Sequence, residues 1–302
     1  MRGERRASRV PHAAKVNKYL LKTYSYVIFG GLHHGNAHAS LRALLPMPGF
    51  ESLPLLTIVW IAFVLAFAGA VQGALGLGFP MLATPMIAAV TDMRTAVIVV
   101  LLPCVATTVT NIALTGQFLP TLRRFWFMPL CMLAGATIGA RLFVAFPAFP
   151  FALLLAGVIV LYLYLDHLGR VEWAFVSRHP VASGAGFALL AGLSEGTANI
   201  AAPPLLMYLF SLNLDRMVFV QALNLCFTVG KPTQLVILTL EGGVTWTQWA
   251  ATLPFAVIAT ATTIFGIRNR ERIDAKTYRR WLLRLLFVIA LVLVIQYAFG
   301  AL

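Results

Sequence analysis

Charge is what this chain has least of. Asp, Glu, Lys and Arg make up 11% of its 302 residues, against about 25% in an ordinary soluble domain. With 60% hydrophobic residues and a mean hydropathy of +0.85, that scarcity excludes a soluble globular or disordered protein. Acid is scarcer still, at 10 residues against 23 Lys and Arg, so no acid-lined cation site is expected. Cysteine is limited to Cys104, Cys131 and Cys226, scattered through apolar runs. They form neither a disulfide framework nor a metal spacing, and read as small hydrophobes. His12, His33, His34, His38, His167 and His179 lie outside the apolar runs or at their ends. There is no H-E-x-x-H, no phosphate-binding loop and no spaced Cys/His cluster. No metal, no cofactor and no enzymatic activity are therefore expected. The match to G-x-S-x-G at Gly192–Gly196 lacks the strand and the His that a nucleophile elbow needs. The alternating segments of an outer-membrane barrel are missing too.

What is present is a series of long apolar stretches. The formal charge of +13 and pI of about 10.3 would suggest nucleic acid in a soluble protein. Here the basic residues collect in a tail and in short loops, as the positive-inside rule requires, and no nucleic-acid partner is expected. The expected fold class is all-α: a polytopic transmembrane bundle of about eight to ten helical membrane segments, in two inverted repeats with broken helices. Three regions are expected: a basic tail over 1–46, a first membrane repeat over 47–168 and a second over 169–302. The tail lacks a clean signal-peptide core, and a start at Met47 would remove it. The expected location is the inner membrane of a bacterium, multi-pass, with the lipid bilayer and a small anion as partners; a homo-oligomer is compatible with this.

The stretch from Leu55 to Thr91 holds no charged residue and is too long for one crossing: about 55 Å as a single helix, against a core of roughly 30 Å. Gly73, Gly76, Gly78, Pro80 and Pro85 lie within it, so two short helices or a hairpin hinged near Gly76–Pro80 are expected. Spans follow over 95–116, 125–146 and 151–165. The second half repeats the plan: a long broken stretch over 181–211, then spans over 216–240, 244–267 and 282–302. The halves match weakly in sequence, Gly73 with Gly192 and Pro85 with Pro204, then Val97 with Val218 and Thr107 with Thr228. Broken backbone survives in a bilayer only against protein or a wet cavity, and paired breaks mark the binding site of many secondary transporters.

Arg141, Glu195 and Lys231 are the charged residues within the spans. Arg141 stands near a span end and reads as a snorkelling side chain. Lys231, flanked by Gly230 and Pro232, is far from either end of its span. Gln221, Asn224, Thr228 and Lys231 make one polar stripe on a helix. This stripe reads as an anion site, or as a structural Lys that snorkels or pairs. Thr107, Thr110 and Asn111 stand at matching depth in the first half, as orienting groups or as interhelical hydrogen bonds. Glu195 is either the partner of Lys231 or a proton carrier. The new helix starts near Phe79 and Asn199 would offer backbone donors to an anion. The candidate substrate-binding set is thus Lys231, Asn224, Thr228, Asn111, Thr107, Gln72, Gly76, Gly78, Phe79 and Asn199, with Glu195 as the coupling residue.

Gln72–Pro80 (QGALGLGFP) with Pro85, the span ending Thr110–Asn111, and the second copy Gly192–Pro204 together resemble the sulfite exporter TauE/SafE family of membrane transporters, over about residues 53–302. The resemblance implies movement of small sulfur-containing anions: sulfite, sulfonates or sulfoacetate. The expected function is a secondary transporter, an exporter, working by alternating access. The alternative is an anion channel, or a permease for another small carboxylate, oxyanion or metal ion.

Overall fold

A computed structural model describes residues 53–146, 178–212 and 214–270, with isolated positions between 149 and 176 and between 277 and 295. The tail over 1–46 and most of the spans expected over 151–165 and 282–302 lie outside the described residues. Pro48–Leu302 is one compact unit. Among the described residues there are ten helices and no strand.

The first half runs α1 (Leu55–Leu75), α2 (Phe79–Ala88), α3 (Met93–Thr115), α4 (Phe118–Phe125) and α5 (Phe127–Ala145). The second runs α6 (Pro180–Ala198), α7 (Ala202–Ser211), α8 (Arg216–Leu240), α9 (Trp246–Ala251) and α10 (Leu253–Arg268). By length and apolarity α1, α3, α5 and α8 can each cross a bilayer. The protein is therefore a polytopic helical bundle of the membrane class. Its outward faces fit that solvent: Leu240 is 75%, Val257 69% and Phe265 66% exposed, which lipid tolerates and water penalises.

Both expected interruptions are present, but neither divides its stretch evenly. In each, a helix of 21 or 19 residues is followed by one of 10. Ten residues rise about 15 Å, half a bilayer core. The span expected over 125–146 is α5, preceded by a short helix, α4, in place of the loop expected at Arg123 and Arg124, whereas the span expected over 244–267 is divided into the short α9 and the longer α10.

The internal match also has a different register from the expected one, by four residues at the glycines and by two further on. The left-handed caps Gly76 and Asn199 stand 123 positions apart, as do the N-caps Asp92 and Asp215. Packing agrees. A Cβ on Gly73 would fall 2.1 Å from the Thr263 carbonyl oxygen and 2.8 Å from the Ile267 nitrogen of α10. On Gly196 it would fall 2.3 Å from the Ala140 nitrogen and 2.6 Å from the Ala136 oxygen of α5. Counted from the caps, Gly73 corresponds to Gly196 and Gly69 to Gly192. Each long broken helix lies backbone to backbone against a helix of the other half, α1 on α10 and α6 on α5. Small residues permit that approach where no water drives helices together.

Candidate anion site at the paired helix breaks

The first break is built by glycine. Gly76 takes φ 81° and ends α1, returning its N–H to the Gln72 carbonyl at 2.7 Å. Gly78, at φ 107°, opens α2. A side chain would strain either position. Gln72, buried one turn before the cap, folds over the gap. Its Oε1 accepts the Phe79 N–H at 3.1 Å, and its Nε2 donates to Asn224 Oδ1 on α8 at 3.2 Å. Asn224 Nδ2 donates to the Gly76 carbonyl at 2.9 Å. The Gly76 carbonyl and the Phe79 N–H, both loosened by the break, are thereby satisfied from inside the protein, as hydrocarbon demands.

The second break is built by Asn199, a left-handed cap at φ 60° whose N–H returns to the Glu195 carbonyl at 2.9 Å. Asn is among the few side chains at ease there. Its side chain joins the two halves: Nδ2 donates to Thr84 Oγ1 on α2 at 2.8 Å, and Oδ1 accepts from Lys231 Nζ at 2.5 Å. Lys231 Nζ also donates to the Asn199 carbonyl at 3.3 Å and forms an ion pair with Glu195 Oε1. Lys231 and Glu195 both have zero exposure. The Ala201 N–H, at the mouth of α7, faces the same carboxyl without closing a hydrogen bond. Among the described residues Glu195 Oε2 has no hydrogen-bond partner, nor has Gln234 Oε1, one turn beyond Lys231 on α8.

Both breaks meet α8 away from its ends. Asn224 lies about 12 Å from the start of that 25-residue helix and Lys231 about 13 Å from its finish, at 1.5 Å per residue. Gln72, Gly76, Gly78, Phe79, Asn199, Asn224, Lys231 and Glu195 are thus brought together along one helix. Thr228 lies on α8 between Asn224 and Lys231, and Thr107 is buried on α3; each hydroxyl donates to its own helix, to the Asn224 and Cys104 carbonyls at 2.8 and 3.0 Å. Asn111, on α3, is buried against the C-terminal turn of α1, next to Gln72. Its Oδ1 accepts from Arg270 at 2.5 Å, and its Nδ2 reaches the Thr107 and Gln72 carbonyls at 3.3 and 3.5 Å. Arg141 pairs with Glu241 at 3.1 Å and is 61% exposed, as its snorkelling reading requires.

Three participants escaped the sequence reading. Thr84 carries no charge and sits in a helix that looks generic. Cys104 is a buried thiol of α3 within electrostatic reach of both Lys231 and Glu195. Arg270 belongs to a basic run that resembles a solvated loop. It is nonetheless 2% exposed and donates to the Gly73 carbonyl at 2.9 Å and to Thr115 Oγ1 at 2.9 Å. Arg216 donates to the Ala74 carbonyl beside it at 3.1 Å. Two guanidiniums thus cap the C-terminal carbonyls of α1, where the helix dipole favours cations.

Two half-length helices, a buried ion pair and a shared central helix define a membrane transporter of the broken-helix class. The family model for the sulfite exporter TauE/SafE matches residues 61–293, most of the chain, and the protein belongs to that family. No curated protein and no solved structure matches it.

Proposed function

We propose that the protein is a secondary transporter, an exporter, of small sulfur-containing anions such as sulfite and organosulfonates, seated in the inner membrane of a bacterium. One observation carries the reading: a fully buried ammonium, Lys231, held against the second helix break in a chain of the sulfite exporter family. A buried charge in a membrane span is costly and defaults to function. Lys231 supplies the charge that selects an anion. Asn199 and Thr84 bridge the halves at that point and orient an oxyanion. Gln72 and Asn224 hold the first break open at fixed geometry. Alternating access moves these elements past one another around the junction.

A substrate panel tests this. Purified protein in liposomes is loaded with sulfite, methanesulfonate, sulfoacetate, acetate or phosphate, and exchange of labelled anion is followed. Exchange confined to the sulfur oxyanions is expected. Exchange of carboxylate and phosphate alone would replace the substrate class, and unsaturable flux would favour a channel.

A further inference from the structure

Gln72 and Glu195 occupy equivalent places 123 positions apart, each one turn before its left-handed cap. Gln72 fills the gap at its break with a neutral amide that accepts the first N–H of α2. Glu195 puts a carboxyl at the matching gap, beside the Ala201 N–H and against Lys231. An amide oxygen is the same at every pH, whereas a carboxylate is an anion that a proton can remove. Only the second break is therefore switchable.

Few other titratable groups face this carboxyl among the described residues. α8 brings Lys231 and α3 brings Cys104, which is fully buried. α5, packed along α6, carries Arg141, engaged by Glu241 at the surface, and Cys131, which neighbours Cys226. α7 carries Tyr208, whose hydroxyl donates to the Pro180 carbonyl, and α2 offers only Thr84. Lys231 can thus compensate one negative charge and no more. An oxyanion added beside an ionised Glu195 would leave a net charge in a site closed to water, which is strongly disfavoured. Two acidic groups sharing one cation resolve this when one takes up a proton.

We propose that Glu195 is a tethered stand-in for the substrate. Its carboxylate neutralises Lys231 in the empty carrier, and a sulfur oxyanion takes its place only when Glu195 is protonated, so one proton crosses with each anion. This rests on the transporter reading above. The proton comes from water on the loading side and binds one carboxylate oxygen. The Lys231–Glu195 ion pair opens and a Lys231–oxyanion pair forms. On the far side the anion leaves, the proton returns to water and the original pair closes. For a monoanion the cycle moves no net charge.

The test uses the full chain in liposomes with an internal pH dye. Methanesulfonate, ionised at every working pH, is one probe and sulfite the other. In wild type, anion counterflow is expected to rise several-fold for each unit of pH lowered, and inward anion flux to acidify the lumen. In E195Q both the pH slope and the dye response should vanish; with sulfite, the difference from wild type isolates the protein's own proton from the substrate's. Wild-type flux without pH slope or dye response would overturn the coupling, and so would an E195Q variant that keeps the slope. The wild-type dye measurement decides alone if E195Q fails to fold. Wild-type protein that exchanges no anion at all would instead bring down the transporter reading.

Discussion

At the scale of single residues, Lys231 cannot be understood without its partners. Removing it alone leaves Glu195 charged or newly protonated in a sealed site, and Asn199 Oδ1 without its donor. Breaking a buried pair in this way costs about 3–5 kcal/mol, while replacing both members by neutral residues of like size is often harmless. Lys231→Ala is therefore expected to lower the thermal unfolding midpoint in detergent, and K231M/E195Q to restore most of it. Equal midpoints for the two would deny the pair a structural role. Asn199 separates in the same manner. Asn199→Gly keeps the left-handed cap and deletes only the side chain, whereas Asn199→Ala adds backbone strain of about 1–3 kcal/mol. The alanine variant should melt at the lower temperature, and both should exchange anions at least tenfold more slowly in liposomes. Lys231 was legible in sequence because a charge inside an apolar run has no ordinary explanation. Thr84 was not, since its role depends on meeting Asn199, 115 positions away.

At the scale of elements, the breaks were readable because Gly and Pro leave few structural options in hydrocarbon, and the hinge at Gly76–Gly78 falls where it was expected. At the glycines the register of the repeat is ambiguous by one turn in sequence, for a reason visible in the chain. Gly69 and Gly73 stand four apart, as do Gly192 and Gly196, so a slip of four residues aligns glycine with glycine. The caps remove the ambiguity, because Gly76 and Asn199 stand 123 positions apart, as do Asp92 and Asp215; Gly73 and Gly196 each touch a neighbouring backbone. Helices this close cannot accept a methyl without parting, and overpacking costs typically about 1–3 kcal/mol. Gly73→Ala and Gly196→Ala should each lower the melting midpoint by several degrees. Gly186→Ala on α6 meets nothing within 4 Å and should not. Comparable losses in all three would remove the packing explanation.

At the scale of the whole molecule, the halves are packed through one another: α1 lies on α10, and α6 on α5. α8 passes both breaks and carries Asn224 to one and Lys231 to the other. Sequence could suggest two similar halves, but not which helix of one rests on which helix of the other, because small-residue faces of similar shape suit several partners. The charge balance of the junction has a consequence at this scale as well. If Glu195 loads with the anion, methanesulfonate exchange and net flux should be indifferent to an imposed potassium diffusion potential. The same flux in E195Q should follow the potential, since the anion then crosses without a proton. A wild-type flux that tracks the potential would contradict the balance. The most direct measurement of the central claim, that anions bind at the Lys231 junction, is sulfite counterflow by wild type and K231M/E195Q matched for melting midpoint. Exchange by wild type and none above empty liposomes by the variant is the predicted result; a folded variant that exchanges sulfite at the wild-type rate would place the anion elsewhere.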